Sequence, residues 1–160
     1  MRVAALPPFQ RFLDEHRDAV WGFLAASVGP VEADDCFQET FMSALKAYPR
    51  LGADSNLRAW VLTIAHRKAI DAHRRRARRA VPTENVEELA GAAPPPRDGR
   101  DPELWSAVEA LPERQRTVVL LRYVADLSHA EIAQVVGSSE EAARSALHSA
   151  LSKLRKGVEP

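Results

Sequence analysis

The fold is decided by a stretch near the C-terminus, residues 128–156, which reads SHAEIAQVVGSSEEAARSALHSALSKLRK. Ser128 and Glu131 have the spacing of a capping box, and they predict the start of a short helix. Gly137 is suited to end that helix in a left-handed turn. The apolar residues beyond it recur at the spacing of a second, longer helix. A short helix, a tight turn and a longer helix together predict a helix-turn-helix.

The second helix of this motif is capped by Ser138 or Ser139 and extends to about Lys156. A helix-turn-helix presents the exposed face of its second helix to the major groove of DNA. Here the residues on that face are Glu141, Arg144, Ser145 and His148. Arginine binds guanine edges or phosphates, and serine and histidine contact bases or backbone. The alternative is a plain helical hairpin with a solvated face, because such motifs also occur without a DNA-binding role.

The rest of the chain is also patterned for helices, so the predicted fold class is all-α. Apolar side chains recur at helical spacing, and no strand pattern or internal repeat stands out. The three tryptophans, Trp21, Trp60 and Trp105, are predicted to anchor the core. The predicted inward stripes are Phe9, Phe12, Leu13, His16, Val20, Phe23 and Leu24; Ala33, Cys36, Phe37, Thr40, Phe41, Ala44 and Leu45; Trp60, Val61, Ile64 and Ala65; and Ala143, Ala146, Leu147, Ala150, Leu151 and Leu154.

A change of composition divides the chain into two small helical domains. Residues 80–102 contain three consecutive prolines, several acidic residues and few large apolar side chains. Such a stretch is typical of a flexible linker with stiff extended portions, here with one helical turn at Val86–Leu89. The predicted domains are therefore residues 1–79 and residues 103–160.

The charge of the chain is unevenly distributed. Lys and Arg together number 22, as do Asp and Glu, so the basic excess of a free-standing DNA-binding protein is missing. Residues 1–79 carry a net charge of +4, residues 80–102 of −3 and residues 103–160 of −1. The positive charge culminates in Arg74–Arg79, which predicts a phosphate-binding surface. The alternative is a solvated helix end whose cations favour the helix dipole.

The predicted helix at residues 32–47 begins with acidic residues. Favourable interaction with the helix dipole explains this pattern well. However, Asp35, Gln38, Glu39 and Met42 lie on the face opposite the buried stripe, where they could dock a basic partner helix. The pattern alone leaves both interpretations open.

Several function classes find no support in the sequence. Cys36 is the single cysteine, so an intrachain disulfide and a cysteine-cluster zinc site are excluded. His66, Asp71 and His73 do not share a helical face, and their cationic neighbours oppose metal binding. No phosphate-binding glycine loop or nucleophile elbow is present. We expect no enzyme, no cofactor, no metal and no small-molecule substrate, and we expect a cytoplasmic protein because no signal peptide or membrane span is apparent.

Three segments together resemble a known family. ADDCFQETFMSALKAY (residues 33–48) resembles the signature helix of sigma region 2, and NLRAWVLTIAHRKAIDAHRRR (residues 56–76) resembles its promoter-melting helix. Residues 110–156 resemble sigma region 4. The order and the intervening linker are those of extracytoplasmic-function (ECF) sigma factors, the smallest class of the sigma-70 family. The resemblance implies a factor that binds core RNA polymerase and directs promoter recognition and melting.

The resemblance also assigns roles to individual residues. It implies that one group docks on the clamp helices of the polymerase: Asp34, Asp35, Phe37, Gln38 and Glu39. It implies that a second group binds minus-ten DNA: Arg50, Asn56, Arg58, Arg67, Lys68, Arg74 and Arg75. The third group, in the helix-turn-helix, would contact minus-thirty-five DNA: Ser128, His129, Glu141, Arg144, Ser145 and His148. The implied partners are core RNA polymerase, through its clamp helices and flap, promoter DNA, and an anti-sigma factor that could hold the chain at the membrane.

The recognition helix departs from the family pattern in ways that reduce its positive charge. Ala146 stands where the family usually has arginine, and Ala142 where it has threonine, while Glu140 and Glu141 add negative charge. We therefore expect region 4 to bind duplex DNA weakly and promoter selection to depend on region 2. The alternative function is a stand-alone helix-turn-helix transcriptional regulator.

Overall fold

The computed structural model describes residues 5–79 and 101–158, and within these ranges all regular structure is helical. This confirms the predicted all-α fold class. The helices are α1 (Phe9–Val28), α2 (Pro30–Ala47), α3 (Leu57–Arg79), α4 (Pro102–Glu109), α5 (Glu113–Tyr123), α6 (His129–Val136) and α7 (Glu140–Val158), with a 3-10 turn at Tyr48–Arg50. The helical turn predicted at Val86–Leu89 and most of the predicted linker lie outside the described residues.

The N-terminal half, residues 5–79, is a bundle of α1, α2 and α3 in which each helix packs against the other two. Gly29, at φ 87°, separates α1 from α2 in a conformation that favours glycine, and Pro30 then occupies the first turn of α2. An aromatic cluster fills one end of the bundle. Phe12 is fully buried there, and its ring lies 5.2 Å from the ring of Tyr48 and 5.7 Å from that of Trp60.

The predicted core of the N-terminal half, which comprises its inward stripes together with Trp21 and Trp60, is confirmed with two exceptions. Leu45 is 55% exposed and Trp21 is 38% exposed, so neither side chain belongs to the core. Leu45 lies at the edge of the stripe, about 100° around the helix axis from the buried Ala44 and close to the end of α2. Conversely, the buried stripe of α3 continues through Ala69 and Ala72 into its basic end, because alanine allows close helix packing.

The C-terminal half, residues 101–158, packs α4, α5 and α6 against the long helix α7. The predicted capping box is confirmed: the Ser128 hydroxyl accepts from the Glu131 amide at 3.1 Å, and Glu131 Oε1 accepts from the Ser128 amide at 3.0 Å. Gly137 ends α6 in the left-handed conformation at φ 71°. The Ser139 hydroxyl caps α7 by accepting from the amide of Ala142 at 3.0 Å. The helix-turn-helix is therefore present.

The two halves contact each other directly, which the sequence did not predict. Helix α3 packs against α6, and α1 packs against α5. The approach is close at Gly22 of α1, where a Cβ on this residue would lie 3.0 Å from Val124 Cγ1. Any larger side chain at position 22 would have to displace Val124, so the absence of a side chain permits this packing.

Candidate nucleic-acid interface

The predicted recognition face of α7 is exposed to solvent. Glu141, Arg144, Ser145 and His148 all project from the helix surface, opposite the buried stripe. Arg144 donates to Glu140 Oε1 at 2.8 Å, one turn earlier on the same helix. An exposed pair of this kind contributes little stability, but it reduces the positive charge that Arg144 offers to DNA.

The first helix of the motif contributes two further predicted residues. Ser128 is exposed, but its hydroxyl oxygen already caps α6. His129 follows it in the first turn and is half-buried. The helix-turn-helix therefore offers DNA a second helix whose predicted recognition face carries one arginine, Arg144, and a first helix whose initial residues form its own capping box.

Helix α3 is the platform for most of the predicted minus-ten residues. Arg67 and Arg74 are seven residues apart, so they share one face of the helix, and both are exposed. Asn56 precedes the helix, and the rise of 1.5 Å per residue separates it from Arg74 by about 27 Å. The predicted contacts thus extend along one helix rather than forming a single pocket. Arg50 lies apart from them, exposed on the 3-10 turn.

The basic end of α3 faces the acidic side of α2. A cleft of about 230 Å³ is lined by Glu32, Asp35 and Glu39 of α2 and by Ala72, Arg75, Arg76 and Arg79 of α3. Arg76 Nη2 lies 3.4 Å from Glu32 Oε1. The structure therefore brings together Asp35 and Glu39, predicted to bind polymerase, and Arg75, predicted to bind DNA. The sequence alone had assigned the two groups to separate surfaces.

The outward face of α2 is both acidic and apolar. Asp34, Asp35 and Gln38 are exposed there. Met42 is 60% exposed on the same helix. Phe37 has a different position, because its ring packs 4.8 Å from Phe41 and 5.9 Å from Trp21, between α1 and α2. Of the five predicted docking residues, Phe37 and Glu39 are only partly exposed, and Phe37 is the one packed against aromatic rings.

The start of α3 contacts the C-terminal half through exposed side chains. Asn56 Oδ1 accepts from the amide of Ala59 at 3.1 Å and so caps α3, while Asn56 Nδ2 donates to Glu131 Oε2 at 2.9 Å. Arg58 Nη1 lies 4.0 Å from Asp126 Oδ2. Two of the predicted minus-ten residues thus face carboxylates that belong to the loop and first helix of the helix-turn-helix.

The electrostatics of Glu131 follow from these contacts. Burial favours a higher pKa for its carboxyl group, but hydrogen bonds from Ser128 and Asn56, together with the charge of Arg58, outweigh burial and lower the pKa. Glu131 therefore remains a carboxylate while it contacts Asn56.

Two histidines of α3 lie near α5. Burial lowers the pKa of His66, and Glu113 of α5 opposes this effect. Burial also lowers the pKa of His73, and Arg116 of α5 lowers it further. Both imidazoles are therefore favoured in the neutral form. Across residues 5–79 and 101–158, no three His, Cys, Asp or Glu side chains are grouped to hold a metal ion.

Comparison with known protein families matches both halves. The sigma-70 region 2 model matches residues 12–79, and the sigma-70 region 4 model matches residues 102–154. The chain is 35% identical over 158 residues to the ECF RNA polymerase sigma factor SigD of Mycobacterium tuberculosis, covering 91% of this chain and 74% of SigD. It is 33% identical over 162 residues to the RNA polymerase sigma factor CarQ of Myxococcus xanthus, covering 97% of this chain and 91% of CarQ.

Solved structures show the same fold over both halves. CnrH, solved in complex with the cytosolic domain of CnrY, matches with a TM-score of 0.70 and 26% identity, covering 92% of this chain and 85% of CnrH. The sigma factor RpoE of Bartonella quintana, solved with the anti-sigma factor NepR, matches with a TM-score of 0.77 and 23% identity, covering 94% of this chain and 96% of RpoE.

Proposed function

The chain belongs to the sigma-70 family, as an ECF sigma factor that acts in transcription initiation, and we propose a separate binding role for each of its exposed surfaces. Helix α2 docks on core RNA polymerase, α3 holds the melted minus-ten DNA, and the helix-turn-helix contacts intact duplex. The observation that carries this proposal is the pairing of an acidic, apolar face on α2 with a basic helix α3 in one bundle.

The docking role of α2 rests on its unpartnered side chains. Asp34, Asp35 and Gln38 are exposed beside Met42, while the opposite face of the helix is buried against α1 and α3. Exposed large apolar groups rimmed by charge are typical of protein interaction surfaces. Their chemistry fits a basic, partly apolar partner helix, such as the clamp helices of the polymerase.

The DNA-binding role of α3 rests on the positions of its cations. Arg67 and Arg74 form an exposed row that can follow a phosphate backbone. Asn56 and Arg50 lie at or before the start of the helix, where a flipped base would need hydrogen-bonding groups. Lys68, Arg58 and Arg75 add charge around that row. A flipped base costs a few kcal/mol in unstacking, which such contacts would offset.

The helix-turn-helix is the weaker DNA reader in this proposal. Arg144 is already paired with Glu140, and Glu141 adds a further negative charge on the same face. Ser128, His129, Ser145 and His148 then supply hydrogen-bonding groups. Selection among promoters would therefore depend more on α3 than on α7.

Partners and location follow from the same division of surfaces. We infer that the chain is not catalytic, that it works in the cytoplasm with core polymerase through the clamp helices and flap, and that an anti-sigma factor regulates it. RpoE was solved with the anti-sigma factor NepR and CnrH with the cytosolic domain of CnrY, and the first of these complexes supports the last inference. No described helix is long and apolar enough to cross a membrane.

The alternative, a stand-alone regulator, is disfavoured because such a protein has no need of region 2, which matches residues 12–79.

Reconstitution with core RNA polymerase tests the proposal. We expect the full chain to co-purify with core enzyme and to direct transcription from a genomic promoter library. Asp35→Arg should weaken co-purification at least tenfold, because it reverses a charge at the proposed docking face. Asp14→Arg is the matched control, since Asp14 is an exposed carboxylate on α1. Absence of binding and of transcription by the unmodified chain would refute the function.

A further inference from the structure

The segment that precedes α1 is fastened to the end of α2. The Tyr48 hydroxyl donates a hydrogen bond to the carbonyl oxygen of Pro7, although the two residues are 41 positions apart. Leu6, beside Pro7, is half-buried against the core. The first helical bond of α1 uses the carbonyl of Pro8, so the Pro7 carbonyl lies outside the helix and can accept from the phenol. Residues 5–8, here called the N-terminal segment, are therefore tied to the side chain of Tyr48.

Tyr48 is also the first residue of the turn that follows α2. Its carbonyl oxygen accepts from the Leu51 amide at 3.1 Å, and this bond closes the 3-10 turn Tyr48–Arg50. Arg50 is exposed on that turn, where the function proposed above gives it a contact with minus-ten DNA. A shift of the Tyr48 ring would therefore move the backbone that carries Arg50.

The far end of the following loop joins the same aromatic cluster. We call residues 49–56 the minus-ten loop, since Arg50 and Asn56 both belong to it. The ring of Trp60, in the first turn of α3, lies 6.3 Å from the ring of Tyr48. The Trp60 amide donates to the carbonyl of Asn56 at 2.9 Å. The position of Tyr48 thus determines how the start of the loop lies relative to its end.

Burial makes the Tyr48 hydrogen bond a restraint on the ring. The residue is 8% exposed, and its ring lies 5.3 Å from the ring of Phe9 and 5.2 Å from that of Phe12. A buried hydroxyl without a partner costs free energy, so the ring is held where its oxygen reaches Pro7. Phenylalanine at position 48 would keep the ring packing and lose this restraint. The packing and the hydrogen bond can therefore be separated by experiment.

We propose that Tyr48 is a positioning residue for base capture and that the N-terminal segment acts on the minus-ten loop through it. The hydrogen bond to Pro7 fixes the loop before DNA arrives, with Arg50 held in place relative to Asn56. A flipped base then meets groups that are already arranged, so binding loses less conformational entropy. This inference rests on the DNA-binding role proposed above for the two loop residues.

Hydrogen exchange in the free chain tests the restraint. Tyr48→Phe removes one oxygen atom, and Tyr123→Phe is the matched control, because Tyr123 is 61% exposed at the end of α5. The Leu51 and Ser55 amides, which are hydrogen-bonded within the loop, should exchange roughly threefold to tenfold faster in Tyr48→Phe, the range that one lost hydrogen bond gives. Tyr123→Phe should match the parent.

The same exchange data contain two results that would overturn the proposal. Unchanged exchange at both loop amides in Tyr48→Phe would show that the hydroxyl does not restrain the loop. An equal acceleration throughout α1, α2 and α3 would assign Tyr48 a general role in stability and would also reject positioning.

Abasic DNA tests whether the restraint serves base capture. The probe is a pre-melted promoter recovered from the genomic library, with single non-template bases of the minus-ten element removed in turn, bound by holoenzyme reconstituted from the full chain. In the parent and in Tyr123→Phe, one removal should weaken binding most. Tyr48→Phe should bind intact DNA about threefold to tenfold more weakly. The same removal should then cost it correspondingly less, because the two changes affect one interaction.

The outcomes distinguish this inference from the proposed function. A parent that binds core polymerase and promoter DNA but responds to no base removal would refute base capture, and the inference with it. A sensitive parent that Tyr48→Phe matches on every probe would reject the positioning role and leave the proposed function intact. Tyr48→Phe should also bind core polymerase with parental affinity. An equal loss of polymerase binding and DNA binding would mark the change as merely structural.

Discussion

Asn56 and Glu131 each stabilise the first turn of their own helix with one side-chain oxygen, and they meet through the remaining atoms at 2.9 Å. Asn56→Asp should keep the cap of α3, because aspartate is an equally good N-cap. It would, however, place a second carboxylate against Glu131. We therefore expect the halves to separate, measured as faster amide hydrogen exchange where α3 meets α6.

Restoring the hydrogen bond in the opposite direction should reverse this effect. Glu131→Gln added to Asn56→Asp supplies an amide that donates to the new carboxylate, and glutamine still fits a capping box. The double variant should regain slow exchange, whereas Glu131→Gln alone should also exchange faster than the parent, because its one amide oxygen can accept from the Ser128 amide or from Asn56 Nδ2 but not from both. Failure of the double variant to recover would contradict the geometry described for this pair.

The cap of α7 distinguishes two adjacent serines. Ser139 accepts from the amide of Ala142, whereas Ser138 donates only to the neighbouring carbonyl of Ser139. Ser139→Ala should therefore lower the free energy of unfolding of the C-terminal half by about 1 kcal/mol. Ser138→Ala is the matched control and should change it little. Urea unfolding followed by circular dichroism measures both; equal effects would be inconsistent with a cap at Ser139.

Phe12 should be the most costly aromatic residue to truncate in the N-terminal half. It is fully buried among Phe9, Phe41, Tyr48 and Trp60. Phe12→Ala should cost about 3–5 kcal/mol, the usual range for a buried aromatic ring. Phe12→Leu keeps most of the volume and should cost clearly less. Thermal unfolding gives the order, and similar costs for both changes would argue against a tightly packed cluster.

Acid should destabilise the folded chain through its histidines. The pKa values of His66 and His73 are lowered from 6.5, chiefly by burial, so the folded state resists their protonation more than the unfolded state does. Their contribution to stability is present above about pH 6.5 and is lost as the pH falls through the lowered folded-state values. Burial acts in the same direction on His16, which adds to the trend.

The charged and titratable neighbours of these histidines come from several helices. Glu113 and Arg116 face them from α5, Glu32 from α2, and Arg67 and Arg76 from α3 itself. Melting temperatures between about pH 7.5 and about pH 5.5 should fall in the parent and fall less when both His66 and His73 are replaced by glutamine. Gln134→Ala, which replaces an exposed residue that does not titrate, should retain the parental pH dependence. An identical decline in all three proteins would exclude these histidines as the cause.

Two arginines compare the proposed DNA surfaces. Arg67→Ala should reduce promoter opening by the reconstituted holoenzyme more than Arg144→Ala does, because Arg144 is already paired with Glu140. Each lost phosphate contact should reduce the salt dependence of binding by about one unit of slope. Arg11→Ala is the control, since Arg11 is exposed on α1 and paired with Glu15. Equal or reversed effects of Arg67 and Arg144 would count against the leading role of region 2.

Most of the fold could be predicted from local sequence patterns. The capping box at Ser128, the left-handed Gly137 and the serine cap of α7 all depend on residues within a few positions of one another, and each is confirmed. Trp21 and Leu45 were wrongly assigned to the core, because helical spacing identifies a face but not where its edge meets solvent.

The contact between the halves had no comparable local signal. Asn56 and Glu131 are 75 residues apart, and each has a sufficient local role as a helix cap. In the sequence, nothing distinguishes Gly22 from any other helix residue. Its role in packing becomes clear only from the structure, where Val124 lies beside it. Likewise, the cleft that joins Asp35 to Arg75 depends on how α2 lies against α3. The roles of Asn56 and Arg75 in binding DNA, and of Asp35 in binding polymerase, remain predictions from the resemblance to the family.

The position of Cys36 has a consequence for how such a factor could respond to oxidants. Its sulfur is packed in the bundle and directed toward the carbonyl oxygen of Lys68 at 3.8 Å, and burial raises the pKa of the thiol, as does Glu39. Oxidants attack the thiolate, which this setting suppresses. Cys36, the single cysteine of this sequence, is therefore poorly suited to act as a direct thiol sensor of oxidants.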